Sequence, residues 1–288
     1  GIPPPPPPAV TTSQDSITAN LSFGSNSTIK NLLIGNTGGS SLNWSLTEIN
    51  ASFSPQSTKQ NYSRETLNLI RNQPKGSEDD IYGPEVTDGA GGPDAFGYVW
   101  IDSDEPGGPA FSWADISGTG TLISAWTNGT GDDGSVVVSL PFNFSYYGTN
   151  YSQLKICTNG WVSFDVVSTD VAYTETPIPD AAEPNNTLIP MWDDMDVRTS
   201  GGIYYFNDAP NNRFIVQYNN VPHYSTGGPY TFQVLLYSDG RIYYQYLNMT
   251  APLNSNTVGF ENSTGTDGVQ IVFDNNYVHN NLAVKIEK

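Results

Sequence analysis

From Gly92 to its end the chain is written in period two. Short runs of alternating apolar and polar residues are broken by Gly, Pro, Asn, Asp and Ser. No amphipathic helical stretch lies between them. The runs fall at 96–101, 111–116, 135–147, 153–165, 187–196, 202–207, 213–221, 229–237, 241–248, 256–261, 269–273 and 282–287. Within 229–237, Thr231, Gln233, Leu235 and Tyr237 alternate with Phe232, Val234 and Leu236, so the two sets face opposite sides of a sheet. Tyr237-Ser238-Asp239-Gly240-Arg241 reads as a hairpin turn into the next run. Many short strands at this spacing predict an all-β, jelly-roll-like antiparallel β-sandwich over residues 93–288. The apolar content of 37% supplies a core, and the 17 Tyr suit strands with one half-exposed face.

The N-terminal region reads differently. Residues 3–8 are six prolines, a polyproline II rod about 19 Å long at about 3.1 Å per residue, which makes 1–13 an extended Pro-rich arm. Strand-like runs follow at 14–23, 27–35 and 41–49. The stretch Thr28-Ile29-Lys30-Asn31-Leu32-Leu33-Ile34-Gly35-Asn36-Thr37-Gly38-Gly39-Ser40-Ser41-Leu42-Asn43-Trp44-Ser45-Leu46 resembles the immunoglobulin-like module of the abnormal-spindle and hydin type, found in secreted bacterial and archaeal surface proteins. A whole sandwich of that kind needs about seven strands. The three of 14–50 form a partial Ig-like module with open edges. It must pack on the larger domain or accept a strand from another molecule. Residues 51–92 read as a linker with one helix-compatible stretch, Ser63–Arg71. Lys59, Arg64, Arg71 and Lys75, with Lys30 before them, gather basic charge on a chain of net charge −18, which suits an arm crossing to an acidic neighbour.

Eleven Asn-x-Ser/Thr triplets, at Asn20, Asn26, Asn43, Asn50, Asn61, Asn128, Asn143, Asn150, Asn185, Asn248 and Asn262, are acceptors for N-linked glycans and predict an extracellular, cell-surface location. Alternation puts Asn20, Asn43 and Asn143 on the solvent side of their runs. The net charge repels nucleic acid. No apolar run reaches the length of a membrane span, so membrane insertion is not expected. The single Cys157 excludes an intrachain disulfide and reads as a small apolar strand residue. With no Met at its start and Leu282–Glu287 as a closing strand, the chain is expected to be a complete, processed product.

A second set of motifs runs in order through the larger domain. Gly92–Tyr98, Asp102–Pro109 and Phe111–Ile116 are followed by Leu140–Phe144, Tyr147-Gly148, Thr158-Asn159-Gly160-Trp161, Met191-Trp192-Asp193-Asp194-Met195-Asp196 and Thr231–Val234. This succession resembles the β-sandwich module attached to secreted subtilisin-like peptidases and other surface proteins, and it is similar to the nidogen-like extracellular domain. The resemblance implies an accessory role in binding or architecture, without chemistry of its own.

The residues point the same way. His223 and His279 are the two histidines, and no G-x-S-x-G elbow accompanies them. Zinc lacks ligands, whereas Ca²⁺ takes hard oxygens grouped in Gly-containing loops. Asp102 and Asp104 with Glu105 form one such loop, Asp193, Asp194 and Asp196 a second, and Asp132 with Asp133 a third; none has EF-hand spacing. The candidate Ca²⁺ ligands are therefore Asp102, Asp104, Asp193, Asp194 and Asp196, against a purely structural role in capping turns. Adjacent carboxylates such as Asp193 and Asp194 should point apart on a strand and so not flank one glycosidic bond. Tyr204, Tyr205, Tyr243, Tyr244 and Tyr246 are candidates for stacking on sugars, or for cross-strand packing.

The expectation is a non-enzymatic structural subunit of a glycosylated extracellular filament, sheath or surface layer. It would be a head-to-tail homopolymer built by N-terminal strand or arm exchange, with Val10–Leu21 as the donor stretch. The alternative is a carbohydrate- or protein-binding accessory module of a large secreted enzyme.

Overall fold

The structure is a computed structural model and describes residues 4–13, 31–43, 62–77, 81–87 and 89–288. It divides into two compact units, Gly1–Ser54 and Pro55–Lys288.

In the first unit β1 (Val10–Thr12) pairs antiparallel with β2 (Ile34–Asn36), Thr11 opposite Gly35. The arm residues before β1 lie in the Asn36–Ser40 turn. Asn36 Oδ1 accepts from Ala9 N at 3.0 Å, Thr37 N donates to Ala9 O at 2.9 Å, and Ser40 Oγ donates to Pro6 O at 2.7 Å. A Cβ on Gly38 would stand 2.2 Å from Pro7 O, so the two glycines of the motif make room for the rod. Residues 10–12, expected within an extended arm, are thus a strand. Residues 41–43, expected in one, are irregular, and the runs at 14–23 and 44–49 lie outside the described residues.

The second unit begins with the one α-helix among the described residues, α1 (Arg64–Arg71), which Ser63 caps by accepting from Thr66 N. Two antiparallel sheets follow. One orders β16 (Gly268–Phe273), β15 (Thr257–Glu261), β10 (Thr187–Trp192), β9 (Val162–Ser163), β8 (Thr149–Cys157), β7 (Gly134–Tyr146) and β6 (Asn128–Gly129). The other orders β3 (Ala90–Gly91), β4 (Val99–Asp102), β17 (Leu282–Glu287), β14 (Ile242–Met249), β13 (Tyr230–Tyr237), β12 (Arg213–Val221), β11 (Gly202–Asp208) and β5 (Thr121–Leu122). Their inner faces share one core, an all-β antiparallel sandwich as the period-two pattern predicts.

The tyrosines depart from expectation. Tyr218, Tyr244 and Tyr246 are fully buried and cross from the eight-stranded sheet to backbone of the seven-stranded one. Tyr218 Oη donates to Cys157 O and Tyr246 Oη to Pro190 O, while Tyr244 Oη accepts from Ile189 N at 3.1 Å and donates to Gly259 O at 2.8 Å. Pro190 cannot donate to a ladder, and the β10–β15 register shifts between Ile189 and Trp192. The Tyr244 and Tyr246 hydroxyls pair with backbone groups at this irregularity.

Residues 111–116, expected as a strand, run across strands instead. Gln245, Gln233 and Gln217 lie opposite one another on β14, β13 and β12, on the face away from the core. Ser112 N donates to Gln245 Oε1 at 2.7 Å, Gln233 Nε2 to Ala114 O at 2.6 Å, and Ile116 N reaches Gln217 Oε1 at 2.9 Å. Alternate residues of this strap thus address successive strands. The period two is real, but its hydrogen bonds go to side chains.

Candidate functional site

Two of the sequence motifs meet at one end of the sandwich. Gly160 has φ +76°, and a Cβ there would stand 1.7 Å from Met191 O, so only glycine lets the Thr158–Trp161 turn lie against Met191–Asp196. Asn159, fully buried, ties the turn down: Nδ2 donates to Asp133 Oδ1 and Val171 O, both at 3.0 Å, and Oδ1 accepts from Met195 N at 2.9 Å. Trp161 and Trp192 each donate from Nε1 to Ala172 O at 3.0 Å, which pins the long loop between β9 and β10.

Above this floor opens a cavity of about 470 Å³. Lys75, Tyr82, Tyr173, Glu175, Asp193, Asp194, His223, Tyr224 and Ser255 are among the residues that line it. Asp193 and Asp194 both border it, although alternation would send them apart, because they lie in the bend beyond the end of β10. Their partners differ. Asp193 Oδ1 faces His223 Nε2 at 3.2 Å, and its Oδ2 accepts from Ser255 Oγ at 3.3 Å. His223 Nδ1 lies 3.1 Å from Thr226 O. Burial alone would lower the imidazole, but the hydrogen bond and charge of Asp193 outweigh it and raise the pKa to about 9. The carboxylate stands between serine and imidazole, and both ring nitrogens face oxygens. The set is therefore an ion pair with a serine on its far side, since a charged ring has no lone pair to draw a proton from Ser255.

Asp194 belongs to a second set. Lys75 Nζ lies 2.7 Å from both Asp133 oxygens, 3.0 Å from Asp194 Oδ1 and 3.1 Å from Asp132 Oδ1, with the Tyr173 and Tyr224 ring centroids at 4.3 and 4.5 Å. Burial opposes the charge on Lys75, but the three carboxylates hold its pKa well above the usual lysine value. Burial pushes Asp194 up to about 6 against the pull of Lys75. Arg71 pairs with Asp180. Two of the basic residues expected to reach an acidic neighbour, Arg71 and Lys75, thus pair with the chain's own sandwich, while Lys30 and Lys59 lie outside the described residues.

The Ca²⁺ candidates do not converge. Asp196 pairs with Arg198 at 2.8 Å. Asp102 accepts from Asp104 N and Tyr277 Oη, both at 3.0 Å, and Asp104 lies 2.9 Å from His279. Among the described residues the one group of three carboxylates within metal-ligand reach is Asp132, Asp133 and Asp194, and Lys75 stands at its centre. Sequence reading found Asp193, Asp194 and the 158–161 turn. Lys75, Tyr173, Tyr224 and Ser255 escaped it, because only the fold brings them there; the basic bias of the linker was the one signal for Lys75.

A family model described as NIDO-related matches residues 110–285. The chain belongs to the NIDO-related family. Such domains are typical of extracellular proteins. No curated protein and no solved structure is matched by the chain. The match starts at the strap and ends in β17, so the NIDO-related domain includes the three aspartates but not Lys75, which arrives from upstream. No helix among the described residues is long and apolar enough to cross a membrane.

On this NIDO-related chain Asn43, Asn143, Asn150 and Asn248 are exposed, and Asn128 and Asn262 are half-buried. Asn185, a glycan acceptor by its triplet, is only 6% exposed and its Nδ2 donates to Ala181 O. Asn20, Asn26, Asn50 and Asn61 lie outside the described residues. Of the tyrosines considered for sugars, Tyr244 and Tyr246 are core, and Tyr204 and Tyr243 pack with the Ile116–Ile215–Leu235 cluster under the strap. Tyr205, half-buried, packs against the main core.

Proposed function

We propose that this chain is a secreted, N-glycosylated architectural protein: a subunit of an extracellular filament, sheath or surface layer. Subunits join head to tail when the N-terminal arm and β1 of one copy occupy the Asn36–Ser40 turn and β2 of the next. The observation that carries the reading is the β1–β2 ribbon. Val10, Thr11 and Thr12 are all exposed, and Leu33 beside β2 is 73% exposed. Among the described residues this sheet has two strands, a size that is marginal by itself. Its grip on the arm is largely directed at backbone, so a second copy of the same arm fits it equally well. A strand passed onward in this way makes a heterologous contact that propagates.

Removal of residues 1–23 should leave monomers by light scattering and negative-stain imaging, while Gly38→Val should also block assembly by filling the seat of Pro7. Normal polymers from the truncated chain would refute arm exchange. A second reading, a carbohydrate- or protein-binding module of a larger secreted enzyme, is favoured by the tyrosine-lined cavity over Asp193. It predicts a monomer whose saturable ligand is lost on Tyr224→Ala.

A further inference from the structure

Lys75 lies upstream of the NIDO-related region, yet its ammonium sits among three of that region's carboxylates. Equal 2.7 Å distances to Oδ1 and Oδ2 of Asp133 hold Nζ about 3 Å from Cγ in a two-pronged ion pair, so a small tilt of the carboxyl plane brings the nitrogen over the carbon. Asn159 Nδ2 donates to Asp133 Oδ1 at 3.0 Å from a fully buried, doubly anchored side chain, a donor set in place where an oxyanion would form. Asp194 Oδ1, on a largely buried carboxyl 3.0 Å from Nζ, stands where it can take and return a proton. The rings of Tyr173 and Tyr224 flank the nitrogen. Asp132 is the poorer acceptor: it offers Lys75 one oxygen at 3.1 Å and turns the other to Arg198 at 3.3 Å.

We propose that Lys75 and Asp133 join in an isopeptide bond that staples segment 62–77 to the β-sandwich. The ammonium of Lys75 gives one proton to Asp194, and the freed lone pair attacks Cγ of Asp133, forming the Nζ–Cγ bond and leaving the nitrogen positive and both oxygens negative, with Oδ1 facing Asn159. A second proton leaves the nitrogen as the Cγ–Oδ2 bond breaks. Oδ2 departs as water, carrying that proton and the one returned by Asp194. Ammonium plus carboxylate become amide plus water; nothing is oxidised or reduced, and no co-reactant is needed. The link closes a loop between positions 58 residues apart in a chain whose single cysteine rules out an intrachain disulfide.

The test is intact-mass and tandem mass spectrometry of the full 288-residue chain produced in a host that does not N-glycosylate. The folded chain should be lighter than its sequence by one water, and a digest should contain a branched peptide joining Lys75 to Asp133. Lys75→Arg and Asp194→Asn should each restore the full sequence mass. Asp133→Asn, which loses ammonia in place of water, should reach the same final mass as the parent chain and covers the case of a Lys75 variant that does not fold. A folded parent chain at full mass overturns the proposal. So does a water loss that survives Lys75→Arg, a branch that maps to Asp132, or an Asp133→Asn chain at its own full mass.

Discussion

Gln233 donates from Nε2 to Gln217 Oε1 at 2.7 Å across the β12–β13 pair, and the two amides together hold the strap 111–116. Both are fully buried on the face of the sheet away from the core, because the strap covers them. The arrangement explains why a run with strand-like alternation joins no ladder: its peptide groups are satisfied by three glutamines arrayed in register. The strap covers the outer face of four strands, with Ile116 packed on Ile215 and Leu235.

Gln233→Ala should therefore cost about 1–3 kcal/mol in chemical denaturation, since Ala114 O loses its donor and Gln217 Oε1 loses one of its two. A loss no larger than that of an exposed glutamine variant would show that the strap is held by Ile116 and the aromatic packing alone.

Tyr244→Phe removes one oxygen and leaves Ile189 N and Gly259 O unpaired in the core, where Pro190 prevents the ladder from closing. The expected loss is again about 1–3 kcal/mol. Amide exchange should locate it, with Ile189 protected in the parent chain and open in the variant.

The His223–Asp193 pair sets a pH dependence. A folded pKa near 9 against 6.5 for the free side chain means that the native state holds a proton the unfolded state has released. The pair's stabilisation is complete below pH 6.5 and is lost as pH rises through 9. Each pKa unit is worth about 1.4 kcal/mol, and the ring's partial exposure reduces the whole to roughly 1–2 kcal/mol. Thermal melts should fall across that window, and His223→Gln should flatten the fall. At the acid end Asp115, held low by Gln217 and Ser117, and Asp196, held low by Arg198, contribute stability above pH 4 that disappears as they protonate.

Glycan occupancy should follow exposure. In material from the native host, Asn143→Gln and Asn150→Gln should each remove one glycan's mass, as both stand on the open faces of β7 and β8. Asn185→Gln should remove none, because its amide is buried and donates to Ala181 O. A glycan found on Asn185 would mean that the loop 181–186 opens before the sandwich closes.

Much of the architecture follows from local pattern alone. The alternation of 213–221, 229–237 and 241–248, with Gly240 in its left-handed turn between the last two, fixes three antiparallel neighbours, because a period of two leaves one face for the core and a short turn leaves one register. The cap at Ser63 and the burial of Cys157 are equally local. The strap reads as a strand for the same reason: alternation reports an extended backbone, and whether its N–H groups meet another strand or a row of glutamines depends on residues more than a hundred positions away.

The candidate site lies at the far end of that scale. Composition and motif order already gave an acidic all-β chain whose 158–161 turn and 191–196 bend mattered. They could not say that Asp193 would pair with His223 while Asp194 and Asp133 closed on Lys75, since these contacts join segments separated by tens of residues through bends where strand alternation ends. Sequence determined which faces are apolar, because that depends on neighbours along the chain. Tertiary structure alone decided which charges meet, because a buried carboxylate takes whatever cation the packed backbone brings within reach.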